Sequence, residues 1–281
     1  MEEDVRYREE LMRWNQRMAA ALRNLSAADE RELREWQGQH RAGQGADNSD
    51  WPGWERLIGK KPISGREERS LSREERLAKI AADETPVPLD HVPRVVVHMM
   101  PHKKQELDLA NGVDREVVRT HLAPMVARYM RQNRYGVDVS EARIVSFTSG
   151  EEGVSSYAYS QLFPDGSVEH VRASYYDTEH RLIGLDYEDD VVDAVGRGLL
   201  LQEALGVEAP IAVTLSLLGI AGCRFSDGAL PPKGESIKEN EIKVGEVIFS
   251  KHQPCTDADV AALMKNGFDT VRRAARLQPR P

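Results

Sequence analysis

The sequence is poor in cysteine, in aromatic residues and in long apolar runs, and each shortage excludes a class of protein. The two cysteines, Cys223 and Cys255, have no close spacing, which excludes a disulfide framework and a zinc motif and fits a reducing compartment. Aromatic residues make up only 6% of the chain, so aliphatic side chains must build the core. The longest apolar run, residues 211–222, is too short to span a bilayer. We therefore expect a soluble, cytoplasmic protein with no membrane partner.

Negative charge exceeds positive charge. The chain has 38 Lys and Arg residues against 46 Asp and Glu, a formal net charge of −8. A broad nucleic-acid interface needs a basic face that releases counterions from phosphates, so this balance argues against one. A basic C-terminal tail exists, but cations at the end of a helix are also what the helix dipole favours; the tail consists of Arg272, Arg273, Arg276 and Arg280. Nucleic-acid binding stays open and is not favoured.

No histidine, nucleophile or phosphate motif is complete in the sequence. His98 and His102 lie at the end of an apolar run closed by Pro101, where an extended chain would hold them roughly 13 Å apart. The sequence has no nucleophile elbow and no phosphate-binding loop. We expect no cofactor and no metal. We expect His98 to be a core residue whose hydrogen bond to the backbone fixes the exit of its strand into the loop 101–113, and Cys223 to be a small buried hydrophobe.

One set of residues keeps a catalytic alternative open. Asp227, Glu241 and Lys243 match the acid–acid–lysine set that can hold Mg²⁺ and activate water in nucleases. The Glu-x-Lys tripeptide is common by chance, and here it ends the charged stretch KGESIKENEIK, which favours a solvated loop. We expect a protein without enzymatic activity, and a metal-dependent hydrolase or nuclease is the alternative.

An amphipathic seam marks the N-terminal segment. Apolar residues alternate spacings of four and three, the rhythm of a coiled coil, at Tyr7, Leu11, Trp14, Met18, Ala21 and Leu25. The seam is shorter than three heptads, so two interpretations stay open: packing within its own domain, or docking onto a protein partner or second copy. Ser26 with Asp29 predicts a second helix that ends at Gly38. The polar stretch 37–50 predicts a linker anchored by the tryptophans of WPGW (51–54).

The remainder of the chain predicts strands and helices in alternation. RVVVHMMP (94–101) is apolar at almost every position, which is typical of a central strand. The stretch 155–176 predicts a hairpin around Pro164-Asp165-Gly166, and 243–250 predicts one further strand. Ser72 with Glu75 predicts the start of a helix. The order indicates an α+β domain over 66–281, with a mixed, partly antiparallel sheet and flanking helices, preceded by a helical segment and linker over 1–65.

Two stretches resemble a known family. The first, SREERLAKIAADETPVPLDHVPRVVVHMMP, carries matching residues at Arg73, Arg76, Leu77, Thr85, Pro86, His98 and Pro101. The second, YSQLFPDGSVEHV, carries them at Tyr159, Gln161, Phe163, Gly166 and Glu169. The chain resembles bacterial ATP-binding proteins with a Schlafen-type, AlbA-like DNA-binding domain, over about three-quarters of its length.

The resemblance implies the C-terminal portion of that family. The AlbA-like domain would precede residue 70, and residues 1–65 are too short to hold it, so the family's ATP and DNA associations are not carried over. We expect a non-catalytic binding or scaffold subunit, regulatory or defence-related, that contacts a protein partner or a second copy through residues 1–36. A truncated relative of a DNA- and ATP-binding protein is a further alternative.

Overall fold

The computed structural model describes residues 11–14, 17–18, 21, 25–40, 51–58, 65–89, 93–126, 135–140, 143–148, 156–173, 181–226, 234–252 and 256–279. The chain divides into two compact units, Met1–Ser72 and Arg73–Pro281. Each unit has a hydrophobic core of its own. The boundary falls inside a helix that runs over Gly65–Ala81.

Tryptophans form the core of the first unit. Residues 11–14 are helical, followed by α1 (Ala27–His40) and α2 (Gly53–Ile58). A buried cluster joins these elements through Trp14, Leu33, Trp51 and Trp54. The last two rings meet edge to face, with their centroids 5.1 Å apart. The WPGW tryptophans therefore pack inside the unit, as predicted.

The predicted start of α1 is confirmed, and its predicted end is wrong. The Ser26 hydroxyl oxygen accepts a hydrogen bond from the backbone N–H of Asp29 at 3.2 Å, which is the capping contact that the sequence indicates. The helix nevertheless continues through Gly38 to His40. Glycine costs a helix only about 1 kcal/mol relative to alanine, so it does not by itself end one.

An antiparallel sheet of eight strands forms the centre of the second unit, in the order β10-β7-β1-β5-β4-β3-β2, with β9 also paired to β7. The strands are β1 (Arg94–Pro101), β2 (Tyr135–Ser140), β3 (Arg143–Thr148), β4 (Ala158–Leu162), β5 (Val168–Ala173), β7 (Ile211–Leu218), β9 (Glu241–Lys243) and β10 (Val247–Phe249). A small parallel pair is separate from it, β6 (Leu182–Gly184) with β8 (Arg224–Ser226). The helices are α3 (Gly65–Ala81), α4 (Arg115–His121), α5 (Tyr187–Ala204) and α6 (Asp257–Ala274). The predicted α+β class, with its N-terminal helical segment, is confirmed.

Strand β1 has the central position that its composition predicts. It lies between β5 and β7, and all eight of its residues are buried. The predicted hairpin is also present, as β4 and β5 joined by a turn in which Gly166 has a φ of +81°. Glycine adopts this left-handed conformation without steric cost, which explains why a glycine occupies this position of the turn.

Two other predictions of the sequence are wrong. The stretch 243–250 is not one strand, because it contributes to both β9 and β10, which pair with β7 at different places. Ser72 does not start a helix, because α3 begins at Gly65 and runs through it. Local capping signals are overridden where the preceding residues continue the helix.

Different helices pack on the two faces of the sheet. Along β1, Val95, Val97 and Met99 join the large aliphatic core that α5 and α6 complete. Val96 points to the other face, where Leu77 and Ile80 of α3 cover a smaller core. This alternation follows from the two-residue period of a strand. No helix among the described residues is long and apolar enough to cross a membrane.

Candidate binding site beside a buried carboxylate network

A row of polar side chains crosses the sheet beneath α3. The strand register places Thr214 of β7 opposite His98 of β1, His98 opposite Glu169 of β5, and Glu169 opposite Gln161 of β4. His98 and Glu169 stand two residues from Val96 and Val171 of the smaller core, so the row shares their face. All four side chains are buried. Buried polar groups in such a row must be hydrogen-bonded to be stable.

The Glu169 carboxylate is the centre of this row. Its Oε1 accepts hydrogen bonds from the Tyr159 hydroxyl and from Arg76 Nη2, both at 2.8 Å. Its Oε2 accepts from Arg76 Nε at 2.9 Å and from His98 Nε2 at 3.0 Å. The Arg76 guanidinium therefore binds the carboxylate in the bidentate geometry, which is the strongest form of this ion pair.

The charge state of Glu169 follows from these contacts. Burial alone would raise the pKa of its carboxyl, but the hydrogen bonds and charges of His98 and Arg76 outweigh burial and lower the pKa to about 2. Burial and the neighbouring carboxylate raise the pKa of Tyr159 well above its usual value. At neutral pH the tyrosine is thus a protonated donor and Glu169 an ionised acceptor.

An ionised carboxylate with a low pKa can stabilise the fold through its ion pair, but it is a poor group for proton transfer. A general base works best when its pKa lies near the working pH, and that of Glu169 lies far below it. Both of its oxygen atoms are also occupied by donors. We therefore interpret Glu169 as the residue that fixes Arg76, and with it α3, on the sheet.

His98 is a buried, hydrogen-bonded residue, as the sequence predicts, but its partner differs from the predicted one. We expected a contact that fixes the exit of the strand, and the structure gives a side-chain contact to Glu169 on the neighbouring strand. Because that carboxylate is ionised, Nε2 is the donor. In the part of the chain that the structure describes, Nδ1 of His98 has no hydrogen-bond partner, and neither do Oγ1 of Thr214 and Oε1 of Gln161.

Two arginines, one turn apart, tie α3 to the sheet. Arg76 reaches β5 through Glu169 and also lies over the ring of Phe163, 5.3 Å from its centroid. Arg73 reaches β7, where its Nη2 donates to the Leu215 carbonyl at 3.1 Å and to the Ser216 hydroxyl at 2.8 Å. The helix is therefore fixed at two points on strands that are not adjacent.

A cavity of about 390 Å³ lies beside the fixed helix. Its apolar wall consists of Leu77, Ala78, Ala81 and Leu218. Its polar wall consists of Glu74, Arg94, Asn240, Glu241 and Lys243, and Gly219 completes the lining. Concave sites of this volume, with an apolar wall and a few convergent polar groups, are typical of small-molecule pockets.

Three charged residues of the cavity form a cluster, which we call the rim: Glu74, Glu241 and Lys243. The Lys243 ammonium contacts Glu241 Oε1 at 3.1 Å and donates a hydrogen bond to the Glu74 carboxylate. The hydrogen bond to Glu74 is the main reason that the pKa of Lys243 is raised, with Glu241 adding to it. Two carboxylates and one ammonium leave the rim with one net negative charge.

Arg94 is a buried cationic residue in the lining of the same cavity. Only 3% of the residue is exposed, and its guanidinium donates to the Ile80 carbonyl and to the Asp83 carboxylate. Its third nitrogen, Nε, has no partner among the described residues. That nitrogen is itself buried, so leaving it unpaired is a cost to the fold.

Of the three residues of the hydrolase alternative, two lie among the residues that the structure describes. Glu241 and Lys243 both lie on β9 and belong to the rim, whereas Asp227 lies outside the described residues. Within the described ranges, no group of three or more His, Cys, Asp or Glu side chains is arranged to hold a metal ion. The alternative stays a prediction.

The seam predicted to bind a partner lies largely in the core of the first unit. Trp14 is only 1% exposed, and Met18 and Leu25 pack against the same cluster. Leu11 is half-buried, and Tyr7 lies outside the described residues. These are the contacts of a helix packed within its own unit, and partner binding through this seam stays a prediction.

The described arginines of the basic tail make their contacts within the second unit. Arg272 binds both oxygens of the buried Glu188 carboxylate, at 2.6 and 2.9 Å. Arg276 contacts Glu235 at 2.7 Å, and Arg273 donates to the Asp269 carbonyl within its own helix. Arg280 lies outside the described residues. The described arginines therefore stabilise this fold, and their contacts add no support for nucleic-acid binding.

A serine–histidine pair on the other face of the sheet is also structural. Ser160 Oγ lies 2.6 Å from His170 Nδ1, a distance that a catalytic pair would have. Both residues are completely buried. Burial, with a contribution from the charge of Arg197, lowers the pKa of His170 to about 3. A neutral imidazole without access to solvent cannot activate the serine for an external substrate.

The sequence does not indicate the Arg76–Glu169 pair or the cavity. Both residues belong to the stretches that carry the family resemblance, but neither has a chemical role that the pattern predicts. One signal exists for Glu169, because a carboxylate that a predicted strand buries needs a cation. For the cavity, the sequence offers only the two small residues of its wall in α3, Ala78 and Ala81.

Comparison with protein-family models, with curated proteins and with solved structures finds no match for this chain.

Proposed function

We propose that the chain is a non-catalytic binding protein whose second unit holds a small ligand in the cavity beside α3. The observation that carries the proposal is the cavity itself, which combines an apolar wall with the charged rim and the buried Arg94. Such a combination provides both burial and orientation for a ligand.

The way in which α3 is attached supports a preformed site. The helix supplies Glu74, Leu77, Ala78 and Ala81 to the cavity, and Arg73 and Arg76 tie the same segment to β7 and β5. A wall that is already fixed loses little conformational entropy when a ligand binds, which favours affinity. The network around Glu169 thus has a role in binding without touching the ligand.

The charged groups that the structure describes favour binding over catalysis. Glu169 is saturated with donors and held far from a useful pKa, and His170 is buried and neutral. Lys243 is shared between two carboxylates, which raises the pKa of its ammonium and opposes a role as a base. Each of these groups has a structural role that needs no reaction.

A cavity-filling substitution tests the proposal. We expect Ala81→Leu to abolish binding of small probes, because the larger side chain occupies the apolar wall. The matched control is Ala82→Leu, since Ala82 is exposed and does not line the cavity. The probes are hexylammonium, 1-hexanol and hexanoate, each titrated into the isotope-labelled full chain and followed by NMR at the resonances of Leu77, Ala78 and Leu218. If no probe shifts these resonances, or if both variants bind as the wild type does, the proposal is wrong.

A protein partner for the N-terminal segment is a second candidate. Its support is Met12, which is 55% exposed beside the buried Trp14 and thus presents an apolar side chain to solvent. If a partner or a second copy covers Met12, size measurements of the full chain should show a complex. The substitution Met12→Glu should abolish that complex. Monomeric behaviour of both proteins, alone and with candidate partners, would exclude this candidate.

A further inference from the structure

We infer that the cavity beside α3 selects an organic cation, a ligand with a protonated amino group on a short apolar body. This inference rests on the proposed function, because it names the chemical class of the ligand for the same cavity.

The rim supplies the charge preference. Glu74 and Glu241 together carry two negative charges against the one positive charge of Lys243. The charge of Arg73 also acts on both carboxylates, but Arg73 faces a third carboxylate, Glu246, as well. The side chains of Glu74, Glu241 and Lys243 are 50%, 39% and 33% exposed, respectively, and ion pairs of such exposure are weak. A ligand ammonium can therefore compete with Lys243 for the carboxylates. The flexible lysine side chain can turn toward solvent when it is displaced.

The end of α3 adds to the same preference. The helix ends at Ala81, and its last turn contributes Ala78 and Ala81 to the cavity wall. The C-terminal end of a helix carries the partial negative charge of the helix dipole, which favours a nearby cation. Arg94 already uses this effect by donating to the Ile80 carbonyl.

The positive charge of Arg94 does not reverse the preference. Its guanidinium is paired with the Asp83 carboxylate, so the two together are neutral.

The apolar wall determines the chemical character of the part of the ligand that does not contact the rim. Leu77, Ala78, Ala81 and Leu218 provide no hydrogen-bonding side chain, so they favour an aliphatic or aromatic body. Fully hydrophilic cations, such as a bare metal ion, gain nothing from this wall. The class that satisfies the rim and the wall together is a small amphiphilic amine.

The affinities of three probes of equal length test the charge preference. Hexylammonium, 1-hexanol and hexanoate carry charges of +1, 0 and −1 on the same apolar chain, and are titrated into the full chain at pH 7. We expect hexylammonium to bind about fivefold more tightly than 1-hexanol, which is the effect of one unit charge at about 4 Å in the dielectric constant of water. Hexanoate should bind most weakly.

Variants of the rim make the test specific to this site. Glu74→Gln and Glu241→Gln should each weaken hexylammonium binding severalfold and leave 1-hexanol unchanged, whereas the exposed Glu239→Gln, outside the cavity lining, should change neither. Lys243→Met should strengthen hexylammonium binding, because it removes the competing ammonium.

The outcomes separate the two proposals. If 1-hexanol or hexanoate binds in the cavity as tightly as hexylammonium, or if Lys243→Met weakens the amine, the charge preference is wrong while the cavity remains a binding site. If none of the three probes binds there, the proposed function fails and the inference fails with it.

Discussion

Arg76 on α3 and Glu169 on β5 form a bidentate ion pair, with N–O distances of 2.9 and 2.8 Å, although 93 residues separate them in the sequence. Glu169 is completely buried and Arg76 is 23% exposed. The pair joins the helix that walls the cavity to the centre of the sheet. We therefore expect the stability of the second unit and the shape of the cavity to depend on the same contact.

Removing the charge of Glu169 should destabilise the second unit strongly. Glu169→Gln leaves the Arg76 guanidinium without its counter-ion in a largely buried position. Breaking such a pair from one side costs on the order of 3 kcal/mol of unfolding free energy. Urea unfolding measures it, with Glu75→Gln on the exposed side of α3 as the control expected to unfold like the wild type. A Glu169→Gln protein as stable as the control would show that the pair does not hold the helix.

Acid should weaken the same contact in a defined pH window. The pKa of Glu169 falls from an ordinary value of 4.5 to about 2 on folding, so the unfolded chain takes up this proton first as the pH drops. The stabilisation is complete above pH 4.5 and is lost between pH 4.5 and pH 2. Unfolding free energies measured across this window should fall less steeply for Glu169→Gln than for the wild type. Equal slopes would contradict the assigned pKa.

The sequence predicts the parts of this site that depend on local patterns and misses those that depend on distant contacts. The apolar run of β1 and the turn at Gly166 are local, and both are found where expected. The partner of His98 could not be found from its neighbours in the sequence, because Glu169 lies on another strand. The burial of His98 was predictable, whereas the carboxylate beside it was not.

The cavity could not be predicted because it arises from the placement of whole elements. Its lining comes from α3, from the start of β1, from the end of β7 and from β9. The sequence predicts one strand over 243–250 and a helix that begins at Ser72, and both boundaries are wrong. Glu241 and Lys243 were recognised as a charged pair, but their nearness to Glu74 follows only from the fold.

His98 should act as a positioning residue of the network. His98→Leu removes one of four donors to Glu169 and buries a carboxylate oxygen with less compensation, which should cost about 1–3 kcal/mol of unfolding free energy. His98→Gln keeps an N–H donor at the position and should recover part of the loss. Urea unfolding compares the three proteins. If His98→Leu is as stable as the wild type, the hydrogen bond to Glu169 contributes nothing to folding.

His170 should remain neutral throughout the physiological range. Burial, with a contribution from Arg197, lowers the pKa of its imidazole from 6.5 to about 3. The unfolded chain therefore binds this proton more readily, and His170 reduces stability as the pH falls from 6.5 toward 3. The imidazole resonances of His170 in NMR spectra should keep their neutral positions down to pH 4.5. A titration midpoint near 6.5 would show that the ring reaches solvent.

A crystal structure of the full chain with bound hexylammonium is the most direct test of the cavity beside α3. The account predicts that the apolar chain lies against Leu77 and Leu218, with the nitrogen about 3 Å from a carboxylate oxygen of Glu74 or Glu241 and Lys243 displaced toward solvent. Hexylammonium bound elsewhere, with the cavity empty and the contacts of Lys243 unchanged, would contradict it.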